Sequence, residues 1–280
     1  MLVRDAMHGN TVTIQSHHSL PDAVVMMETL KVRRLPVMRQ SALVGLLSDG
    51  DIKRRLPALH DGLTPWEFTD RAARVKVSEA MCPVVLTTTP GTHLETAIEL
   101  MLDRRVGGLP VLDGGELVGM LTLTDVLRAA VTAPRDVWKT VREQMTEQVV
   151  AVPADAPASE AAATLKVTRL RVLPVTEQGQ LVGVIHQTDI EAAVERRAAP
   201  HGDTLLSDQF FLNTLTARDL MRPPADQVIA SMPMRDAVTK MFNSDVHGLP
   251  VISSSGKLLG VVTISDVLKT LLGRQEARHS

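Results

Sequence analysis

Four short segments of this 280-residue chain combine residue types that can bind a ribose and a phosphate. A Ser or Thr stands three positions before an aspartate in three of them, and a histidine takes that place in the fourth: Ser48 and Asp51, Thr122 and Asp125, Thr263 and Asp266, His186 and Asp189. An aspartate carboxylate can accept hydrogen bonds from both ribose hydroxyls. Exposed N–H groups at the start of a helix bind phosphate. Thr124 and Ser265 add hydroxyls to two of these segments.

The same pattern also predicts a helix N-cap, which is the competing interpretation. A Ser or Thr side chain accepts from an N–H three residues later, and an aspartate in the first turn is favoured by the helix dipole. The short motif on its own favours capping over ligand binding. The fourth pair discriminates slightly between the two interpretations, because His186 weakens a cap while Asp189 is retained.

Each of the four segments closes one copy of a repeated block. A methionine opens each copy; an alanine follows it by 16 residues (Met7 to Ala23) and a proline by 29 (Met7 to Pro36), and the closing aspartate lies 6 residues past a glycine (Gly45 to Asp51). The equivalent landmarks are Met81, Ala97, Pro110 and Gly119, then Met145, Ala161, Pro174 and Gly183, then Met221, Ala237, Pro250 and Gly260. A fixed internal period is typical of a repeated structural unit. These units leave no room for a separate catalytic domain.

The second copy shows most clearly which elements position the aspartate. Residues 84–88 predict a strand, and Thr92 predicts the cap of a helix that ends at Gly107. Two apolar runs around residues 113–116 predict a hairpin with a glycine-rich turn. Pro110 lacks an N–H and is predicted at a strand start or edge. With a second helix after Thr124, the order is β-α-β-β-α, and the fold class is α+β or α/β.

The connectors between copies predict which copies pair. They are long, short and long, which indicates a two-repeat module that was itself duplicated, with copies one and two in the first module and copies three and four in the second. The predicted boundaries are repeat 1 at 1–56, a linker at 57–74, repeat 2 at 75–132, repeat 3 at 138–197, a linker at 198–213 and repeat 4 at 214–273.

Composition excludes several classes of protein. The 30 basic and 32 acidic residues are dispersed, so a nucleic-acid partner is not expected. A lone cysteine, Cys82, excludes an internal disulfide framework. No apolar run reaches the length of a membrane span, and the first repeat starts at Val3, so we expect no signal peptide and a cytoplasmic location. No metal-ligand spacing and no nucleophile–base pair is evident, so we expect neither a metal site nor an enzyme.

The landmarks resemble the cystathionine-β-synthase-type (CBS) domain. Leu-Pro-Val stands at 35–37, 109–111, 173–175 and 249–251, and the closing Gly-to-Asp motif matches fully in three copies, departing only at His186. The four-repeat arrangement is similar to prokaryotic stand-alone CBS proteins and to the gamma subunit of AMP-activated protein kinase. This resemblance implies two paired modules in a disc-like assembly, with clefts between repeats that bind adenosine-containing ligands.

The resemblance also implies roles for individual residues. The aspartates are expected to bind ribose and the hydroxyl residues to assist with phosphate. The two residues before each Leu-Pro are expected to contact phosphate: Arg33-Arg34, Gly107-Gly108, Arg171-Val172 and His247-Gly248. The alternative is that these cations are exposed charges that offset a helix dipole. Since the second copy has only glycines here, its cleft must take a cation from elsewhere.

The sequence therefore predicts a ligand-sensing regulatory protein. It would bind AMP, ADP or ATP between repeats, as a regulatory ligand and not as a cofactor, and transmit occupancy to a homodimer partner or a regulated enzyme. S-adenosylmethionine and cyclic dinucleotides stay open as ligands, because the ribose carboxylate suits them all. The alternative is an interaction or oligomerisation scaffold whose clefts are vestigial.

Overall fold

The chain forms two compact units, Met1–Ala129 and Ala130–Ser280, each built from two of the repeats. The computed structural model describes residues 1–55, 65–132, 138–147, 149–168, 170, 172–196, 211–244 and 246–273. None of the helices in these ranges is both long enough and apolar enough to cross a membrane.

The first unit contains repeats one and two. Repeat one comprises α1 (Val3–Ala6), β1 (Ile14–Gln15), α2 (Leu20–Leu30), β2 (Arg34–Arg39), β3 (Ala42–Ser48) and α3 (Asp49–Arg55). Helix α4 (Pro65–Arg74) lies in the segment predicted as a linker. Repeat two comprises α5 (Val77–Ala80), α6 (Leu94–Arg104), β4 (Gly108–Asp113), β5 (Glu116–Thr122) and α7 (Leu123–Val131).

The second unit contains repeats three and four. Repeat three comprises α8 (Val141–Gln144), β6 (Val152–Pro153), α9 (Ala158–Thr168), β7 (Val172–Glu177), β8 (Gln180–His186) and α10 (Gln187–Arg196). Repeat four comprises α11 (Ala217–Leu220), β9 (Val228–Ile229), α12 (Met234–Asn243), β10 (Gly248–Ile252), β11 (Leu258–Thr263) and α13 (Ile264–Leu271). Both units thus confirm a mixed fold of α-helices and β-strands in four repeats.

Every repeat also begins with a one-turn helix that the sequence did not predict. It lies directly before the landmark methionine, and in each case the N–H of that methionine donates to the first residue of the turn, as Met7 does to the Val3 carbonyl at 2.9 Å. Four residues are too few for a helical period to appear in a sequence. The turn fixes the direction in which the chain leaves each methionine.

Repeat two lacks the first strand that its sequence predicts. Of residues 84–88, only Thr88 pairs, in an isolated parallel bridge with Val111, and Val84 is 78% exposed. Thr88 occupies the place where the other repeats bury an aliphatic side chain, namely Ile14, Val152 and Val228. Its Oγ1 is buried and has no hydrogen-bond partner in the described part of the chain. A run of residues with high β propensity is therefore not sufficient to form this strand.

The boundaries of the first helix in repeat two also differ from the prediction. The N-cap is His93 and not Thr92, whose hydroxyl instead accepts from the Thr89 N–H at 3.3 Å. The helix ends at Arg104, because Arg105 adopts a left-handed conformation with φ of 52°, before the glycine pair is reached. The hairpin turn is as predicted: Gly114 and Gly115 both have positive φ, the conformation that a two-residue turn of this kind requires.

The landmark proline Pro110 lies inside its strand and not at the strand start, but β4 is an edge strand of a two-stranded sheet, which agrees with the predicted edge position. Pro110 is the third residue of β4, and its carbonyl accepts from the Thr88 N–H at 3.0 Å. The parallel pairing begins one residue later, at Val111. Proline is tolerated here because its missing N–H falls just beyond the end of that pairing.

The landmark methionines and glycines pair the repeats within each unit. A Cβ added to Gly119 of repeat two would lie 2.7 Å from the His8 carbonyl oxygen and 3.2 Å from the Met7 sulfur of repeat one. The equivalent pairs, each crossing between repeats, are Gly45 with Met81, Gly183 with Met221 and Gly260 with Met145. These contacts confirm the predicted pairing of copies one with two and three with four. At Gly119 and Gly260 the nearest atom is a backbone carbonyl oxygen of the partner repeat, 2.7 Å from the added Cβ, so a side chain there would overlap that repeat.

Candidate ligand-binding site

The four motif aspartates each lie in the first turn of a helix and cap its N-terminus. The backbone N–H three residues earlier donates to one carboxylate oxygen, Oδ2, at 2.7–2.8 Å in every repeat: Ser48 to Asp51, Thr122 to Asp125, His186 to Asp189 and Thr263 to Asp266. In the three repeats with a hydroxyl residue, that hydroxyl also donates to the same oxygen. The capping interpretation is therefore correct as far as one oxygen of each carboxylate is concerned. Ligand binding would depend on the other oxygen and on the surrounding charges.

Two of the aspartates pair through their other oxygen with an arginine one turn along the same helix. Arg128 donates to Asp125 Oδ1 at 3.0 Å, and Arg54 pairs with Asp51 Oδ1. Both arginine side chains are more than half exposed, at 58% and 74%. Each of these guanidinium groups comes from the helix that carries its aspartate and not from the partner repeat.

The residue after each landmark methionine reaches the motif of the partner repeat. His8 exchanges two backbone hydrogen bonds with Met120 of β5, both 3.1 Å long, and the corresponding pairs are Cys82 with Leu46, Thr146 with Val261 and Arg222 with Val184. In two repeats this residue is basic and bonds the partner repeat's aspartate. His8 Nδ1 lies 3.0 Å from Asp125 Oδ2, and Arg222 Nε donates to Asp189 Oδ1 at 2.6 Å.

The ionisation of Asp125 and His8 is coupled. Burial acts to raise the pKa of Asp125, which is only 3% exposed, but hydrogen bonds from His8 and Thr122 outweigh burial and hold that pKa below its ordinary value. The bond to Asp125 raises the pKa of His8, while partial burial and Arg128 oppose the rise. The ionised form of Asp125 is therefore favoured, and the imidazolium form of His8 persists to higher pH than that of an ordinary histidine.

The residues before Leu-Pro lie at the start of the motif helix. The carbonyls of Arg33, Gly107 and His247 accept from the first N–H groups of α3, α7 and α13 at 3.2, 3.2 and 2.9 Å. Arg33 is exposed and His247 is half-buried. Arg34 crosses to repeat two, where a Cβ at Gly107 would overlap its guanidinium. Arg171 lies outside the described residues.

Thus the start of α7 brings together groups from both repeats of the first unit: Asp125 and Thr122 from repeat two, and His8 and Arg34 from repeat one. Thr124 and Ser265 lie exposed as the second residues of α7 and α13. The motifs did not reveal His8, Arg128 or Arg222 as site residues. Their only sequence signals are a basic residue after the methionine, and an arginine three residues past the aspartate. Within the described ranges, no group of three or more His, Cys, Asp or Glu side chains is placed to hold a metal ion.

Comparison with known proteins gives a match to one family over most of the chain. The CBS domain matches residues 3–58, 77–132, 136–196 and 217–273. All four motif aspartates and all four landmark methionines fall within these ranges.

Two similar proteins extend over nearly the whole chain, and a third extends over two thirds of it. The uncharacterised protein MJ1225 of Methanocaldococcus jannaschii is 25% identical over 276 residues, covering 96% of this chain and 98% of that protein. Its crystal structure, described as that of a proposed archaeal homologue of g-AMPK, superposes with a TM-score of 0.70, at 22% identity over 97% of this chain and 100% of the other. A conserved Pyrococcus horikoshii protein gives a TM-score of 0.68, at 24% identity over 97% of this chain and 100% of the other. The AMP-activated protein kinase subunit gamma-3 of Bos taurus is 23% identical over 67% of this chain and 39% of its own length.

Proposed function

The chain belongs to the CBS domain family, and on that premise we propose that it is a regulatory protein that senses adenine nucleotides. AMP, ADP or ATP would bind in the clefts between the two repeats of a unit. Occupancy would then be transmitted to a regulated enzyme or to a second copy of this chain. The nucleotide would act as a regulatory ligand in the cytoplasm, and the protein itself would have no catalytic role.

One observation carries this proposal, namely the meeting of opposite charges from two repeats at the start of α7. Asp125 supplies an ionised carboxylate that suits the ribose hydroxyls. Arg34 lies against Gly107, whose carbonyl bonds the first N–H of the same helix. A guanidinium and a helix start suit a phosphate group. A nucleoside monophosphate presents these two chemistries together, whereas an uncharged nucleoside presents only one.

The similar proteins support a regulatory role of this kind. One of them is named as a gamma subunit of a kinase that is activated by AMP, and it aligns over two thirds of this chain. A whole-length relative is described as a proposed archaeal homologue of the same subunit. The remaining candidate phosphate ligands, Arg33 and His247, would serve the clefts at α3 and α13, and Ser48, Thr122, Thr124, Thr263 and Ser265 would supply hydroxyls. Arg171 would complete the set.

A ligand panel on the full chain tests the proposal. AMP, ADP, ATP and adenosine are compared by thermal unfolding and by titration calorimetry, with S-adenosylmethionine as a further member. A ligand at 100 times its dissociation constant adds about 2.7 kcal/mol to the free energy of unfolding. We expect AMP to bind more tightly than adenosine, and Arg34→Gln to reduce that difference. No stabilisation by any member at millimolar concentration contradicts the proposal.

A second function, an interaction scaffold with vestigial clefts, is favoured by a different observation. Each motif carboxylate already accepts bonds from its own chain, so the clefts are satisfied without a ligand. The scaffold predicts a stable oligomer that no adenosine ligand affects. Native mass spectrometry distinguishes the two functions, because it reports bound ligand and subunit number in one measurement.

A further inference from the structure

The Asp189 cleft differs from the other three in what faces its carboxylate. Arg222 stands directly after the landmark methionine of repeat four, and its backbone exchanges hydrogen bonds of 2.9 and 3.0 Å with Val184 of β8. This pairing positions the backbone of Arg222 across from the start of α10. Its side chain therefore enters the cleft from the opposite repeat, whereas Arg54 and Arg128 lie one turn along the helix that carries their aspartate.

Both oxygens of Asp189 are engaged. Oδ2 accepts from the His186 N–H at 2.8 Å. Oδ1 accepts from Arg222 Nε at 2.6 Å and from a terminal nitrogen of the same guanidinium. The carboxylate side chain is only 9% exposed. Both bonds come from one planar group that stays charged, and a ribose hydroxyl would have to displace them to reach this oxygen.

The same cleft also lacks the hydroxyl of the motif. His186 stands where the other repeats have Ser48, Thr122 and Thr263. The position occupied by Arg222 is taken by Cys82 and Thr146 in the clefts of Asp51 and Asp266, where neither side chain is a cation. It is taken by His8 in the cleft of Asp125, where the charge depends on pH. Only Arg222 carries a permanent charge.

We infer that Arg222 closes the Asp189 cleft to adenosine ligands by holding the carboxylate that a ribose would use. This inference rests on the proposed function, and it restricts nucleotide binding to the other three clefts. Arg222 is thus a specificity-determining residue, and the Arg222–Asp189 pair stabilises the contact between repeats three and four.

The test counts bound AMP and adenosine per chain by native mass spectrometry and titration calorimetry. Arg222→Ala is expected to add one binding site to the wild-type number, and Arg222→Ala with Asp189→Asn is expected to remove the added site. Asp189→Asn alone should leave the wild-type number unchanged. Arg218→Ala is the matched control, because Arg218 also forms an ion pair, with the exposed Glu177, in the same unit. Arg222→Gln repeats the test if the alanine variant does not fold.

The outcomes separate this inference from the proposed function. Wild-type binding with no added site in Arg222→Ala or Arg222→Gln overturns the inference alone. A site lost in Asp189→Asn, or weaker AMP binding in Arg222→Ala, also overturns it, because Arg222 would then contribute to an open site. Binding by Arg222→Ala and none by wild type supports the inference and contradicts the proposed function. Binding by no variant contradicts both.

Discussion

The clefts at Asp125 and Asp189 share one motif, but the charge that faces the aspartate depends on pH in the first unit and is permanent in the second. In both, a basic residue after the landmark methionine crosses from the partner repeat to the carboxylate, at 3.0 Å for His8 and 2.6 Å for Arg222 Nε. Histidine titrates near neutral pH, whereas arginine stays charged. The backbone geometry is shared, so the proposed difference in ligand access arises from the side chains that face the carboxylate. Repeats with the same motif are therefore not equivalent sites.

Removing the carboxylates gives the largest expected effect and tests this comparison directly. Asp125→Ala and Asp266→Ala should each weaken nucleotide affinity at one site by about 1.5–3 kcal/mol, or ten- to hundred-fold, because a charged acceptor is lost. Asp189→Ala should leave affinity unchanged. Calorimetry on the three variants measures this. Asp22→Ala and Asp219→Ala are matched controls, because these aspartates form the same cap with Ser19 and Thr216 outside the motif. Equal losses in the controls would assign the motif aspartates to capping alone.

The glycine that receives the partner's methionine should be nearly as sensitive. Gly119→Ala places a Cβ 2.7 Å from the His8 carbonyl oxygen, and backbone cannot move aside as a flexible side chain can. We expect a loss of about 1–3 kcal/mol in the free energy of unfolding, together with a weaker His8–Asp125 contact. Chemical denaturation measures the loss. Gly91→Ala is the control, because a Cβ there meets no atom within 4 Å; a similar loss at both positions would contradict this account.

A smaller effect, of opposite sign, is expected at Thr88. Thr88→Val removes a buried hydroxyl that has no partner in the described part of the chain and restores the aliphatic residue present as Val152 and Val228 in the second unit. The free energy of unfolding should rise by about 1 kcal/mol. Val228→Thr is the reverse substitution and should lower it. The denaturant midpoints of both variants measure these changes, provided that the dependence of the free energy of unfolding on denaturant concentration is unchanged. Destabilisation by Thr88→Val would indicate that the hydroxyl has a role.

The smallest expected effect is the pH dependence that distinguishes His8 from Arg222. Since the bond to Asp125 raises the pKa of His8, the stabilisation is present below the ordinary value of 6.5 and is lost as pH rises through the raised value. His8→Gln should therefore be less stable than wild type below pH 6.5, and the difference should disappear once the pH has risen past the raised pKa of His8. The difference should stay below about 1 kcal/mol, because the imidazole is 44% exposed and faces Arg128 as well as Asp125. Parallel stability–pH curves for the two proteins would exclude the charged pair.

The sequence predicted the elements whose residues repeat with a period. The hairpin strands and their glycine-rich turn follow from local chemistry, and the structure contains both. The failures occur where packing overrides propensity. Thr88 and its neighbours are residue types typical of a strand, but they form only one bridge. Thr92 is a residue type typical of an N-cap, yet its hydroxyl accepts from the Thr89 N–H in the preceding turn.

The sequence could not predict which residues would face the motif carboxylates. Fixed spacing identifies Met7 and Gly119 as landmarks, but it does not indicate that they touch each other across two repeats. Once that contact is known, His8 and Arg222 follow as the next residues along the chain. The missing cation of repeat two is explained in the same way. Repeat two has a glycine pair where a cation was expected, and Arg34 of repeat one lies over that pair.

The contact of each landmark methionine with a glycine of its partner repeat also limits how many repeats such a chain can contain. The residue after the methionine bonds the outer edge of the partner's last strand, so each repeat covers an edge that would otherwise be open to pairing with other chains. A gene that gained or lost a single repeat would leave one such edge uncovered and one methionine without its glycine. Duplication by pairs avoids both defects. A pair of repeats is thus the smallest unit that can be added without leaving such an edge uncovered.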